Sequence, residues 1–214
     1  GPWMYESISD NTLDLVPNKN YNGATPAKDE KLHYDVLKDP TARLTAQQDG
    51  TTLAMEMVPA DAVDQLKGAG CTVDAVQGFG VRFAMFNLGK APWDNVKVRQ
   101  ACLYALDTDK MLANAFSGQA EVATSYLPSS FANYHKASTV YAHDVDKAKK
   151  LISESGITPG DVVLRTTDNE QVKSMATQVK NDLDALGFNV SIVSDTSPAT
   201  YAAIDAVDGS WDIL

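Results

Sequence analysis

Few residues in this chain are placed to do chemistry, and they are scattered. The three histidines, His33, His135 and His143, stand far apart, and none lies at metal-ligand spacing from Cys71 or Cys102. A metal centre needs several such ligands converging on one point, usually from closely spaced pairs. No metal site and no cofactor is therefore expected. Ser125, Ser129 and Ser130 near His135 are the one faint candidate for a nucleophile with its base. No G-x-S-x-G elbow, phosphate loop or dinucleotide fingerprint accompanies them. Gly78-Phe79-Gly80 lacks a third glycine and precedes a predicted strand, the wrong context for a phosphate cradle. Asp182 and Asp184 fall on the expected outer side of an amphipathic helix, where carboxylates are solvated charges rather than an acid–base pair. No catalytic residue is expected.

Charge narrows the partners. The 214 residues carry 18 Lys and Arg against 28 Asp and Glu, a formal net charge of −10. Nucleic acid is excluded as a partner, because phosphate binding needs clustered cations. Docking on an anionic membrane surface is disfavoured for the same reason. The length allows one large domain or two small ones, enough to bury about 70% of the unfolded surface. No apolar run is long enough to span a bilayer. Cys71 opens a predicted strand and Cys102 lies on a predicted core helix, so two free thiols are expected.

The elements that must position any site follow from periodicity. Trp3 to Ile8 and Thr12 to Val16 read as strands joined by Ser9-Asp10-Asn11, and Lys31 to Leu37 alternates as a third. A short helix follows Asp39 or Thr41. Thr52 to Val58 and Cys71 to Val76 read as strands on either side of a helix that begins after Pro59 and stops at Gly68. Val81 to Phe86 is a compact apolar run, read as a buried strand. Asp94 or Asn95 then caps a helix that shows Val98, Ala101, Cys102 and Ala105 on one face. Asp107 caps a second helix, ending at Gly118. Residues 119 to 142 form an aromatic-rich irregular crossing. Beyond it, helix and strand alternate: a helix after Asp144, a strand at Val162 to Thr166, and a helix at Glu170 to Leu186 with Val172, Met175, Val179, Leu183 and Leu186 inward. A strand at Phe188 to Val193, a helix at Ser197 to Ala206, a turn at Gly209 and a strand from Ser210 complete the chain. The fold class is α/β, with a strand-rich, mixed α+β first part.

One stretch is more specific than any of these. FNLGKAPWDNVKVRQACLYALD, starting at Phe86, resembles the signature of the peptide/nickel-type extracytoplasmic solute-binding proteins (bacterial solute-binding protein family 5), the receptors of ABC importers. Asn87, Pro92, Trp93, Asp94, Val98, Arg99, Ala101 and Asp107 fit the family form, with Trp93 where Phe is commoner. DVDKAKKLISESG from Asp144 is similar to the family's Lys-Ala-Lys helix. Asn18, Asn20 and Tyr21 fit a further segment loosely, and Arg43, Gln47 and Gly50 fit a helix-to-strand step in which Thr51 replaces an acidic residue. Arg99 is expected to pair with an acid or to satisfy backbone carbonyls near Asp107.

The resemblance implies lobes of the periplasmic binding protein type II kind, with mixed sheets flanked by helices. Residues 1–79 would belong to a first lobe and 80–214 to a second, with a junction at Gln77 to Gly80. It implies ligand contacts at Met55, Glu56 and Met57, at Gly78, Phe79 and Gly80, and at Phe83, with a further approach from the strand that begins at Trp211. Peptide-binding members place an aspartate after that strand, so an excised piece ending at Leu214 would lack its strongest ligand contact. The implied cargo is an oligopeptide or dipeptide, and the implied partner is a membrane permease. The implied setting is periplasmic or lipid-anchored outside the cytoplasmic membrane, and the implied state is monomeric. Two other readings stand beside it: an α/β hydrolase-like enzyme, and a sensor or chaperone receptor on the same fold.

Overall fold

The computed structural model describes residues 1–205 and 210–214. The chain divides into two compact units, Gly1–Asp74 and Ala75–Leu214. The helix end at Ala206 and the turn at Gly209 lie outside the described residues.

The first unit is built on an antiparallel meander of β1 (Trp3–Ile8), β2 (Thr12–Pro17) and β3 (Leu32–Asp35). Ser9 makes the first turn, its hydroxyl accepting from the amides of Asn11 and Thr12. The β1–β2 register runs from Trp3↔Pro17 to Ile8↔Leu13 and slips between Tyr5 and Ser7, the mark of a bulge at Glu6. Helix α1 (Pro40–Gln48) starts where Asp39 accepts from the Ala42 amide at 2.7 Å, with proline at its first position. The Arg43 guanidinium then donates to the Leu37 and Lys38 carbonyls. A single 3-10 turn, Ala60–Ala62, leads into α2 (Val63–Gly68), whose Leu66 is fully buried.

Charges link the three strands on one side of this sheet. The Asp14 carboxylate on β2 takes the His33 Nδ1 at 2.6 Å, the Ser7 hydroxyl at 2.8 Å and the Lys31 ammonium at 3.3 Å. Lys31 also reaches Glu6 at 2.9 Å, and His33 Nε2 lies 3.4 Å from Asp35. Hydrogen bonds from His33 and Ser7 pull the Asp14 carboxyl down to about 2. The same Asp14 bond raises His33 above its ordinary 6.5.

The second unit is a mixed layer with helices packed on it. β4 (Asp161–Thr167) and β5 (Asn189–Asp195) pair in parallel, from Asp161↔Asn189 to Thr167↔Asp195. Ile213 lies parallel to Leu164 on the other side of β4, and Phe86 lies antiparallel to Ile213. The expected strand from Ser210 is thus a short ladder, closed by reciprocal bonds between Met85 and Leu214. Helices α3 (Val96–Ala105), α4 (Thr108–Phe116), α5 (Val145–Ser155), α6 (Glu170–Asp184) and α7 (Ser197–Asp205) complete the unit. α3 buries Val98, Ala101, Cys102 and Ala105, the four residues its spacing put on one face. Asn95, not Asp94, is the cap, accepting from the Lys97 amide at 2.9 Å. Burial pushes the Cys102 thiol up to about 12, and both cysteines are free. On α6 the inward face takes Ala176, Gln178, Val179 and Leu183, while Val172 and Met175 are half-buried.

Asp182 and Asp184 are not the solvated charges that the helical pattern suggests. Asp182 accepts from the Asp107 amide at 3.0 Å and from Gln178 at 2.8 Å, which ties α6 to the start of α4. Asp184 accepts from Lys180 and from the Val190 amide, which ties α6 to β5. Arg99 donates to a backbone carbonyl as expected, but to that of Trp93, at 2.6 Å.

The signature stretch closes around one buried carboxylate. Asp212 Oδ1 accepts from the Trp93 indole N–H at 2.9 Å and faces the Lys90 ammonium at 3.0 Å. Its Oδ2 accepts from the Val163 amide at 2.8 Å. Trp93 is completely buried, stacked between Phe86 and Phe188 at centroid distances of 5.2 and 5.7 Å. Asn87, also buried, donates to the Trp211 carbonyl and accepts from the Gly89 amide.

Two outcomes follow. Removing one partner of a buried, hydrogen-bonded charge strands the others, so Asp212→Ala should cost about 3–5 kcal/mol in urea unfolding followed by far-ultraviolet circular dichroism. Trp93→Phe keeps the stacking and loses the indole donor, so it should cost about 1–3 kcal/mol. Wild-type stability in Asp212→Ala would contradict the arrangement. The Asp14–His33 pair sets a pH window. The depressed Asp14 stabilises above its ordinary 3.8, and that contribution is lost as pH falls toward about 2. The raised His33 stabilises fully below 6.5, and that contribution is lost as pH rises through its folded value. Nuclear magnetic resonance titration of His33 should give a midpoint above 6.5 that falls in Asp14→Asn, and an unchanged midpoint would remove the pairing.

Candidate functional site

The residues expected to touch a ligand fall in both units. In the first, Met55, Glu56 and Met57 lie outside regular structure, and the strand expected over Thr52 to Val58 does not form. A strand needs a neighbour for its amides and carbonyls, and among the described residues none pairs with this segment. Met55 is half-buried and Glu56 exposed. Met57 is 68% exposed and has φ 55°, in the left-handed region that side chains other than glycine seldom adopt. Its thioether is therefore displayed to solvent, a soft apolar group able to adapt to what it meets.

In the second unit, Gly78, Phe79, Gly80 and Phe83 lie on the segment before the Met85–Leu214 ladder. Among the described residues, the strands expected at Cys71 to Val76 and Val81 to Phe86 likewise find no strand partner, apart from the bonds at Met85 to Asn87. Side-chain bonds hold the segment instead. The Gln77 amide donates to Glu121 at 3.1 Å and to Ser129 at 2.9 Å. The Ser130 hydroxyl donates to the Gly78 carbonyl at 3.0 Å. Phe79 meets Phe131 edge-to-face, centroids 5.3 Å apart and planes at 83°. The Ser129 hydroxyl donates to Glu121 in turn.

The structure thus brings Gly78 and Phe79 together with Glu121, Ser129, Ser130 and Phe131. Sequence reading placed the last four in an irregular crossing and gave them no binding role. The available signal was the aromatic and serine content of Tyr126 to Phe131, which has no helical or strand period. Phe79 remains 70% and Phe83 61% exposed. Neither ring is part of the buried core.

The hydroxyls of Ser129 and Ser130 are engaged with Glu121 and Gly78, and among the described residues no bond joins His135 to a serine. Among the described residues, no group of three His, Cys, Asp or Glu is placed to hold a metal ion. Trp211 is buried, and the Asp212 side chain is consumed by the core contacts.

The model of the bacterial extracellular solute-binding proteins, family 5 Middle, matches residues 1–214. The chain is 30% identical to heme-binding protein A of Haemophilus influenzae over 215 residues, covering 96% of this chain and 38% of that protein. It is 28% identical to the nickel-binding periplasmic protein of Escherichia coli, covering 94% of this chain and 42% of that protein. Among solved structures, it is similar to the ABC transporter-associated periplasmic binding protein DppA from Helicobacter pylori in complex with peptide STSA. There the TM-score is 0.84 at 20% identity, over 100% of this chain and 41% of the other. The chain spans about two fifths of the length of these relatives, and its two units share the type II periplasmic binding protein fold. The chain belongs to the bacterial extracellular solute-binding proteins of family 5, whose middle region its 214 residues match from end to end.

Proposed function

We propose that this chain is part of the substrate-binding receptor of an ABC importer, with oligopeptides or dipeptides as its cargo. The observation that carries the reading is the match of the family model to the whole of residues 1–214. The likeness to a structure that holds a peptide supports the choice of cargo. So do the exposed groups: Met57 in one unit, and Phe79 and Phe83 in the other, offer apolar contact without committing to one side chain. A peptide receptor needs that tolerance, and it takes most of its affinity from main-chain groups.

In this reading Met55, Glu56, Met57, Gly78, Phe79, Gly80 and Phe83 contact the solute, and nothing in the receptor alters it. The receptor works outside the cytoplasmic membrane, in the periplasm or on a lipid anchor. It acts as a monomer and hands its cargo to a membrane permease. Its conformational step is closure over the solute, driven by the difference in affinity between open and closed states.

Isothermal titration of the full-length receptor against a peptide library should show saturable binding with a negative heat-capacity change. The peptides should be recovered intact by chromatography. Phe79→Ala with Phe83→Ala should weaken the best peptide by about tenfold or more, because each exposed ring contributes roughly 0.5–1.5 kcal/mol beyond its buried area. Silence across the library, with binding of haem or of a nickel complex instead, would remove the peptide assignment.

A further inference from the structure

Asn22-Gly23 is the one Asn-Gly step in the 214 residues. The side-chain amide of an asparagine is open to attack by the peptide nitrogen of the next residue, and glycine there puts no side chain in the way. Folding protects such a step when it holds the amide or the nitrogen elsewhere. Here it holds neither. Both residues are exposed on the connection from β2 to β3. Among the described residues no hydrogen bond reaches the Asn22 side chain or the Gly23 N–H. The Tyr21 amide still donates to the Asn18 carbonyl at 3.1 Å, but from Asn22 to Lys31 no backbone hydrogen bond fixes the chain. Other asparagines are engaged: Asn18, Asn95 and Asn169 accept from backbone amides, and Asn87 is buried between Trp211 and Gly89. At Asp49-Gly50 the corresponding carbonyl carbon belongs to a carboxylate that accepts from the Thr51 amide and is held below its ordinary 3.8 by Thr51, and a carboxylate is a poor electrophile.

We propose that Asn22 is a site of spontaneous deamidation in the folded protein. The Gly23 nitrogen loses its proton and bonds to Asn22 Cγ, the Cγ–Nδ2 bond breaks, and ammonia leaves. The cyclic imide then takes up one water and opens at either carbonyl. One opening gives aspartate, and the other gives isoaspartate, in which the main chain runs through the former side chain. Nothing is oxidised or reduced, and water is the only co-reactant. The product carries one more negative charge, in a chain already at −10. Position 23 is fixed by packing: a Cβ there would run into the phenol of Tyr21, so the ring must move before another residue fits. The altered peptide lies outside the paired strands, so the β1–β2–β3 meander keeps its register after modification. None of this depends on the receptor reading or on the cargo.

The test incubates the full-length protein beside a synthetic peptide, Asn18 to Ala27, at mildly alkaline pH. Mass spectrometry of the tryptic segment Asn20 to Lys28 follows the amide lost and separates aspartate from isoaspartate. The folded protein should react at Asn22 within about tenfold of the free peptide's rate, because no local opening has to come first. Asn22 should react before any other asparagine, and both acids should form. In Asn22→Ser the acidic species that grows on ion-exchange chromatography of the wild type should be missing. Asn22→Asp, which carries the charge of the product, should unfold at the wild-type urea midpoint. A folded rate more than about tenfold below the peptide's, earlier reaction at another asparagine, or the same acidic species in Asn22→Ser would overturn the site. So would a shifted midpoint in Asn22→Asp, since it would show that the fold engages the Asn22 side chain.

Discussion

The second unit depends on a carboxylate that is taken out of water. Placing Asp212 among Trp93, Lys90 and the Val163 amide costs several kcal/mol of lost hydration before any contact is counted. Three donors on two oxygens offset that cost, and the contacts join three places in the chain: the loop before α3 gives Lys90 and Trp93, the first part of β4 gives the Val163 amide, and the 210–214 ladder carries the carboxylate itself. No rearrangement of one element leaves the others satisfied. The residue therefore specifies geometry more than it adds stability. It sets the position of the ladder beside β4, and through Met85 and Asn87 it sets where the segment carrying Phe79 and Phe83 enters the sheet.

That constraint explains why the signature stretch looks as it does. Trp93 must be aromatic to stack between Phe86 and Phe188, and its N–H gives the carboxylate a donor that phenylalanine would lack. Asn87 must offer both a donor and an acceptor, since it bridges the Trp211 carbonyl and the Gly89 amide. Arg99 is needed for its reach back to the Trp93 carbonyl, which holds the loop against the helix it precedes. These are structural duties. Phe79 and Phe83, by contrast, stay exposed on the irregular segment that leads into the ladder.

Periodicity made the second unit legible, because burial in a layered α/β fold follows helical and strand repeats. The α3 face, the caps at Asp107 and Asp144, and the β4 and β5 strands are all written locally. Pairing is not local. Thr52 to Val58, Cys71 to Val76 and most of Val81 to Phe86 have strand-like composition, yet composition cannot show whether a neighbour is present to take their hydrogen bonds. The role of Asp182 and Asp184 was missed for a related reason: their partners, Asp107 and Val190, lie on other elements. The expected ligand contacts come from family resemblance rather than from any period, and the Gln77–Glu121 bond is not legible in the sequence because its partners stand 44 residues apart.

The Asp212 carboxylate locks the ladder, the Trp93 loop and β4 into one cooperative piece. Native-state hydrogen exchange in the full-length protein reads this directly, through the Val163 amide and the Trp93 indole N–H that both point at that carboxylate. Both protons should exchange only through the largest opening of the unit, with the same free energy as the β4–β5 amides. Exchange of either one through a local opening several kcal/mol cheaper would mean the carboxylate is an ornament on a sheet held by other means.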